Sequence, residues 1–259
     1  GLAVLRGAPL FGGSLAEAQA SAERELGRVK AAAAAAGLQR RAPWSVPSPH
    51  GPCGGALRRG GPGFEFAEAI SYSPGRLDMP GLLGVEPFCR APWRNQPALL
   101  ELCQHALGCR CEQSAAGAMW SFPGSSHTGW HRDGESPMLV VVTATRDYPS
   151  DVGWIHVQPH SHAGALRSGG SDAAAPVAVP LGPGESLVFL YTTVHAGMPN
   201  LSGLERCLLY SLYGPVGARD TLNHERRFPS LFGGPAQAAG RAAEATGVLP
   251  GGGAVLAHR

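Results

Sequence analysis

The sequence predicts a mainly β fold, a sandwich or barrel with helices packed outside it. Three observations carry that expectation. Beyond Cys109, six apolar, β-rich runs follow one another with turn residues between them and no helical pattern intervening. The 37 Gly and 23 Pro fall mostly between apolar runs, as the punctuation of many short strands does. At 259 residues the chain can bury a sizeable core within one domain.

The elements follow in order. Gly1–Gly7 reads as a short first strand. Ser14 with Glu17 makes a capping box for a helix in which Leu15, Ala22, Leu26, Val29 and Ala33 recur at helical spacing, and Gly37 closes it. Residues 42–63 are rich in Pro and Gly and read as a loop. Phe64-Glu65-Phe66 leads to Ala69-Ile70-Ser71-Tyr72 and a turn at Ser73-Pro74-Gly75-Arg76. Asn95 or the nearby Arg94 starts a second helix, with Pro97 in its first turn, Leu99, Leu100, Cys103 and Leu107 on one face, and Gly108 at its end. The β-rich runs are Met119–Phe122, Met138–Thr145, Gly153–Gln158, Val177–Val179, Ser186–Tyr191 and Cys207–Tyr213. Residues 1–259 are thus expected to form one domain. Its parts are a supporting region over 1–113, the β core over 114–216 and a C-terminal extension over 217–259.

Composition narrows the function classes. The formal net charge is +2 with 15% charged residues and no basic block, so no nucleic-acid footprint is indicated. No run of eighteen apolar residues occurs, so no membrane span is expected. Six cysteines at 53, 89, 103, 109, 111 and 207 form no CxxC pair. Reduced thiols in an intracellular protein are the simplest reading, cytoplasmic with an organelle left open. Oligomeric state is not readable from the chain.

The chemistry concentrates in Trp130-His131-Arg132-Asp133-Gly134 and His195. In an extended segment, residues i and i+2 point the same way, so His131 and Asp133 can reach one ion while Arg132 faces elsewhere. His195 follows 62 residues after Asp133, beyond the apolar strand Ser186–Tyr191, where a jelly roll returns a ligand beside the first hairpin. Two nitrogens and one carboxylate on one face leave three octahedral positions open, the ligand set of non-haem Fe(II) oxygenases. Gly182-Pro183-Gly184-Glu185 is a tight turn feeding the strand before His195, and Asn200, Ser202 and Arg206 follow. Such an arginine can hold a carboxylate in bidentate fashion, and a structural ion pair is its other reading. His127, His156, His160 and His162 read as surface or supporting residues and Trp130 as core or pocket wall. Arg76, Arg132, Arg226 and Arg227 read as exposed arginines, with acidic-substrate recognition as the alternative.

The order of these motifs resembles the phytanoyl-CoA dioxygenase-like Fe(II)/2-oxoglutarate oxygenases. It comprises Pro123-Gly124-Ser125, then Trp130–Gly134, then Pro159-His160-Ser161-His162, then a Gly-rich turn, a strand and His195, then Asn200-x-Ser202 and Arg206. The resemblance spans most of the chain, but not residues 42–63 or those beyond about 235. It implies a double-stranded β-helix (a cupin-like jelly roll) with flanking helices. His131, Asp133 and His195 would ligate Fe(II) as the catalytic centre, and Arg206 would bind the distal carboxylate of 2-oxoglutarate. The implied activity is O2-dependent hydroxylation of a small organic substrate, with 2-oxoglutarate decarboxylated to succinate and CO2. A jelly roll that binds a metal or small carboxylate as a sensor is the alternative, and a cupin-like metalloenzyme without 2-oxoglutarate is a further rival. The chain departs from the family in His195-Ala196-Gly197, where His-Gly-Ser is frequent, and in Pro-His-Ser-His for Pro-Gly-Ser-His. Asp133 disfavours the halogenating variant of the chemistry. Residues 42–63, 71–80 and 217–232 are the expected substrate-choosing loops.

Overall fold

The computed structural model describes residues 2–6, 15–39, 42–44, 64–90, 93–163, 174–219 and 228–232. Within them two antiparallel sheets face each other. The larger contains β1 (Leu2–Leu5), β2 (Glu65–Phe66), β3 (Ala69–Ile70), β4 (Arg76–Met79), β5 (Cys111–Ser121), β6 (Leu139–Ala144), β9 (Ser186–Leu190) and β11 (Arg206–Pro215). Its order is β1-β9-β6-β11-β5-β4-β3-β2. The smaller sheet has the order β10-β7-β8, from β7 (Ile155–Val157), β8 (Val177–Val179) and β10 (His195–Gly197). This is the jelly roll expected from the sequence.

Strand alternation sorts side chains between two cores. Val140, Val142 and Ala144 of β6, Leu187 and Phe189 of β9, and Leu208, Tyr210 and Leu212 of β11 face the smaller sheet, meeting Ile155, Val157 and Val179. The intervening Leu139, Val141, Val188, Cys207, Leu209 and Tyr213 point outward, under the helices. Helix α1 (Leu15–Ala35) covers that outer face with Ala18, Ala22, Leu26, Val29 and Ala33 buried in one stripe. Its end is a Schellman turn. Gly37 stands at φ 69, its N–H donates to Ala34 O at 3.0 Å, and Leu38 N–H reaches Ala33 O at 2.8 Å. Ser14 lies outside the described residues, as do most of 42–63, Arg226 and Arg227.

Helix α2 (Pro97–Leu107) starts later than the sequence suggested, with Gln96 rather than Asn95 or Arg94 as N-cap. Asn95 is committed elsewhere. It sits at φ 54, its N–H donates to Gln113 Oε1, and its Oδ1 accepts from Gln113 N–H, both at 2.9 Å. That exchange ties the helix entry to β5. Gly108, at φ 69, closes α2 as expected. The expected turn at 73–76 ends at Gly75 (φ 73), and Arg76 opens a strand instead. No helix among the described residues is long and apolar enough to cross a membrane.

Candidate metal centre

His131, Asp133 and His195 come together between the two sheets. Residue 131 pairs with residue 195 as an isolated antiparallel bridge, each N–H donating to the other's carbonyl at 3.0 Å. His195 is itself the first residue of β10, separated from β9 by the four residues 191–194, rather than a strand-end residue directly beyond it. Asp133 is placed by its own N–H, which donates to Tyr191 O at 3.2 Å. The inward-facing Phe189 meets the His195 ring at 4.8 Å between centroids.

The imidazoles are oriented from behind. His131 Nδ1 lies 2.9 Å from Gly129 O and His195 Nδ1 lies 3.0 Å from Thr193 O. Only a protonated Nδ1 can donate to a carbonyl, so each neutral ring keeps its Nε2 lone pair for a ligand. Both Nε2 atoms point at Asp133 Oδ1, each 3.6 Å away, and the three donors lie within 4.8 Å of one another. Burial, with His195 beside it, lowers the His131 pKa and favours the neutral, ligating form. Two bonds of about 2.1 Å from one ion span up to about 4.2 Å between donors, and both 3.6 Å separations to Asp133 lie inside that span. No other cluster of three or more His, Cys, Asp or Glu suited to a metal occurs among the described residues.

Arg206 is fully buried at the start of β11. It donates through Nη1 to Gly153 O and through Nη2 to Ser121 Oγ at 2.9 Å. Among the described residues no structural ion pair to Arg206 is found, and Glu205 pairs instead with Lys30, at 3.2 Å. Burial lowers the Arg206 guanidinium to about 10.

Arg76, which the sequence suggested was exposed, is buried and donates to the same Ser121 Oγ at 2.8 Å through Nη1. Burial, then the charge of Arg206, holds it well below the ordinary arginine value. Two guanidiniums thus meet at one hydroxyl, and no carboxylate among the described residues forms an ion pair with either.

Further residues hold the frame. Asn200 is buried; its Nδ2 donates to Ser121 O and Leu204 O at 2.9 and 2.8 Å, and its Oδ1 accepts from Ser202 N–H and Oγ–H at 3.1 and 2.7 Å. Ser161, within the Pro-His-Ser-His run, accepts from Val194 N–H at 2.8 Å through Oγ and from Arg132 Nη2 at 2.7 Å through its carbonyl. Arg132 thus turns away from the ligand side, as the alternation predicted. Trp130 is 42% exposed, so it is not core. Arg76, expected to be exposed, is instead buried, and Ser121 and Thr128, which carry no signal in the sequence, join it in the frame.

No protein-family model matches the chain, and no curated protein matches it. Solved structures do. A non-heme alpha-ketoglutarate-dependent epimerase, SnoN from nogalamycin biosynthesis, aligns at TM-score 0.59 and 18% identity over 91% of this chain and 87% of its own. The chain has the same fold. AviO1 from Streptomyces viridochromogenes Tue57 aligns at TM-score 0.56 and 20% identity over 85% of this chain and 91% of its own. SnoK, an alpha-ketoglutarate-dependent carbocyclase from nogalamycin biosynthesis, aligns at TM-score 0.54 and 16% identity over 90% of each chain.

Proposed function

We propose that this protein is an Fe(II)- and 2-oxoglutarate-dependent oxygenase acting on a small organic substrate, with His131, Asp133 and His195 as iron ligands. The observation that carries the proposal is the pair of backbone-anchored imidazoles whose Nε2 atoms converge on one carboxylate oxygen. The order of motifs shared with the phytanoyl-CoA dioxygenase-like enzymes supports it. So does the fold shared with SnoN, one structure of which is a complex with Fe3+, alpha-ketoglutarate and nogalamycin RO.

When bound, iron and 2-oxoglutarate supply O2 activation, decarboxylation to succinate and CO2, and the oxidant that cleaves a substrate C–H bond. The chain's own share is placement. His131 and His195 would hold iron through Nε2 in a fixed tautomer, and Asp133 would supply the one carboxylate of the ligand set. Arg206 clamps the distal carboxylate of 2-oxoglutarate through its planar donor fork. A dicarboxylate also supplies the negative charge that the Arg76–Arg206 pair lacks. Phe189 and the apolar inner faces of β6 and β9 keep water from that region.

Hydroxylation is the proposed outcome. Epimerisation or ring closure is the second reading, favoured by the reactions named for SnoN and SnoK. The test is purified protein with Fe(II), ascorbate and 2-oxoglutarate. Slow succinate formation without added substrate is expected, and Asp133→Ala abolishes it. Wild-type protein that binds neither iron nor 2-oxoglutarate overturns the proposal. Protein that binds both without forming succinate, with any compound tried, favours the sensor instead.

A further inference from the structure

The departure at His195-Ala196-Gly197 has a structural counterpart. A Cβ placed on Gly197 would stand 2.7 Å from Arg76 Nη1 and 3.1 Å from its Cζ. Gly197 belongs to strand β10 and is not among the positive-φ glycines, so its backbone conformation does not call for glycine. Space does, because the Arg76 guanidinium fills the volume a side chain at 197 would take.

What Arg76 does from there is specific. Its Nε donates to Ser126 O at 2.8 Å, in the segment that leads into His131 and Asp133. Its Nη2 donates to Met198 O, in the segment that leaves His195. Its Nη1 donates to Ser121 Oγ, where β5 ends. Beside this fork, Thr128 joins the same two segments: Gly197 N–H donates to Thr128 Oγ1 at 2.8 Å, and Thr128 N–H donates to Gly197 O at 3.1 Å. The metal donors sit at the far ends of both stitched segments. A lysine's three donors radiate from one nitrogen, so it cannot span acceptors that here meet three separate guanidinium nitrogens. Keeping a guanidinium buried next to Arg206 is costly, so three bonds that do nothing but fill space would be a poor reason to retain it.

We propose that Arg76 is a positioning residue for the metal face. Its guanidinium staples the segment carrying His131 and Asp133 to the segment carrying His195, and Gly197 lacks a side chain so that the staple fits. The inference rests on the metal reading above but concerns a residue that does not touch the metal.

Co(II) is the probe, followed by equilibrium titration and by its visible ligand-field spectrum, with no turnover required. Wild-type protein is titrated first; absence of Co(II) binding refutes the metal reading itself. With wild-type binding in hand, Arg76→Met is expected to weaken Co(II) about ten- to hundredfold, the usual loss when a group supporting the ligands is removed, and to alter the spectrum. Arg76→Lys should restore little of it. Gly197→Ala should weaken Co(II) in the wild-type background and add almost nothing on top of Arg76→Met, because the collision partner is gone. All titrations are run well below each variant's melting temperature. A folded Arg76→Met with wild-type affinity and spectrum overturns the proposal, as does full additivity in the double variant. Should Arg76→Met not fold, Gly197→Ala decides alone, and unchanged Co(II) affinity there overturns it.

Discussion

Replacing Arg206 by methionine should scarcely change the stability of the metal-free protein, although it deletes a fully buried side chain. A guanidinium held at about 10 against its ordinary 12.5 is disfavoured in its charged form by about 3 kcal/mol at neutral pH. The sign follows from linkage: the penalty is complete below about pH 10 and fades as pH rises toward 12.5, since the unfolded chain binds the proton more tightly. Arg206→Met relieves that penalty. Against it stands one newly orphaned carbonyl, Gly153 O, costing about 1–3 kcal/mol; Ser121 Oγ keeps Arg76. The two nearly cancel, leaving a change within about 2 kcal/mol of zero, where breaking a buried ion pair loses about 3–5 kcal/mol. Urea denaturation at pH 7.5 measures it. Repeating the titration with Co(II) and 2-oxoglutarate at a hundred times its dissociation constant should add about 2.7 kcal/mol to wild type and nothing comparable to the variant. A metal-free loss above about 4 kcal/mol, or equal gains from 2-oxoglutarate, would refute the reasoning that this charge is kept for an anion.

Other substitutions probe the frame. Asn200→Ala strips four hydrogen bonds at once, three of them buried, and should cost about 3–5 kcal/mol in denaturant; a loss under 1 kcal/mol would mean that water replaces the amide. Gly153→Ala puts a Cβ 2.3 Å from Met198 O and Pro199 O at φ 79, so a drop of about 2–4 kcal/mol is expected, and a neutral effect would contradict this turn geometry. Burial pushes the Cys103 thiol up to about 12 and Cys207 higher still. Thiolate is the nucleophile, so at pH 8 only about one Cys103 in ten thousand is reactive, and the fraction grows only as pH approaches 12. Iodoacetamide mapping by mass spectrometry should find exposed Cys109 modified and these two protected; native labelling of Cys103 or Cys207 would be inconsistent with that burial.

The parts of the fold readable in the chain were those whose side chains obey a period. Helix α1 shows its buried stripe and its Gly37 stop, and β6, β9 and β11 are rich in Leu, Val, Phe and Tyr. Strand β5 is read only from Met119, because its first eight residues, 111–118, are polar, Ala and Gly with little intrinsic β preference. It is strand because β11 pairs along its length and β4 along its end. Strand β4 escaped for the opposite reason: its inward residues, Arg76 and Asp78, are charged. At the site, alternation separates His131 and Asp133 from Arg132, but β10 is three residues long and two of them are Ala and Gly. Arg76 was unreadable because its partners lie between 45 and 122 residues away, and nothing local marks a buried arginine.

Strand β1 pairs with β9, Leu2 opposite Phe189 and Leu5 opposite Ser186, at the rim of the larger sheet. On the ribosome, β1 is therefore made about 180 residues before the strand it pairs with. Until β9 emerges, β1 has no strand to pair with and α1 has no completed surface to lie on. Slow, non-local closure of this kind favours chaperone dependence during synthesis. Without β1, β9 would be left as an open rim, and open rims recruit one another.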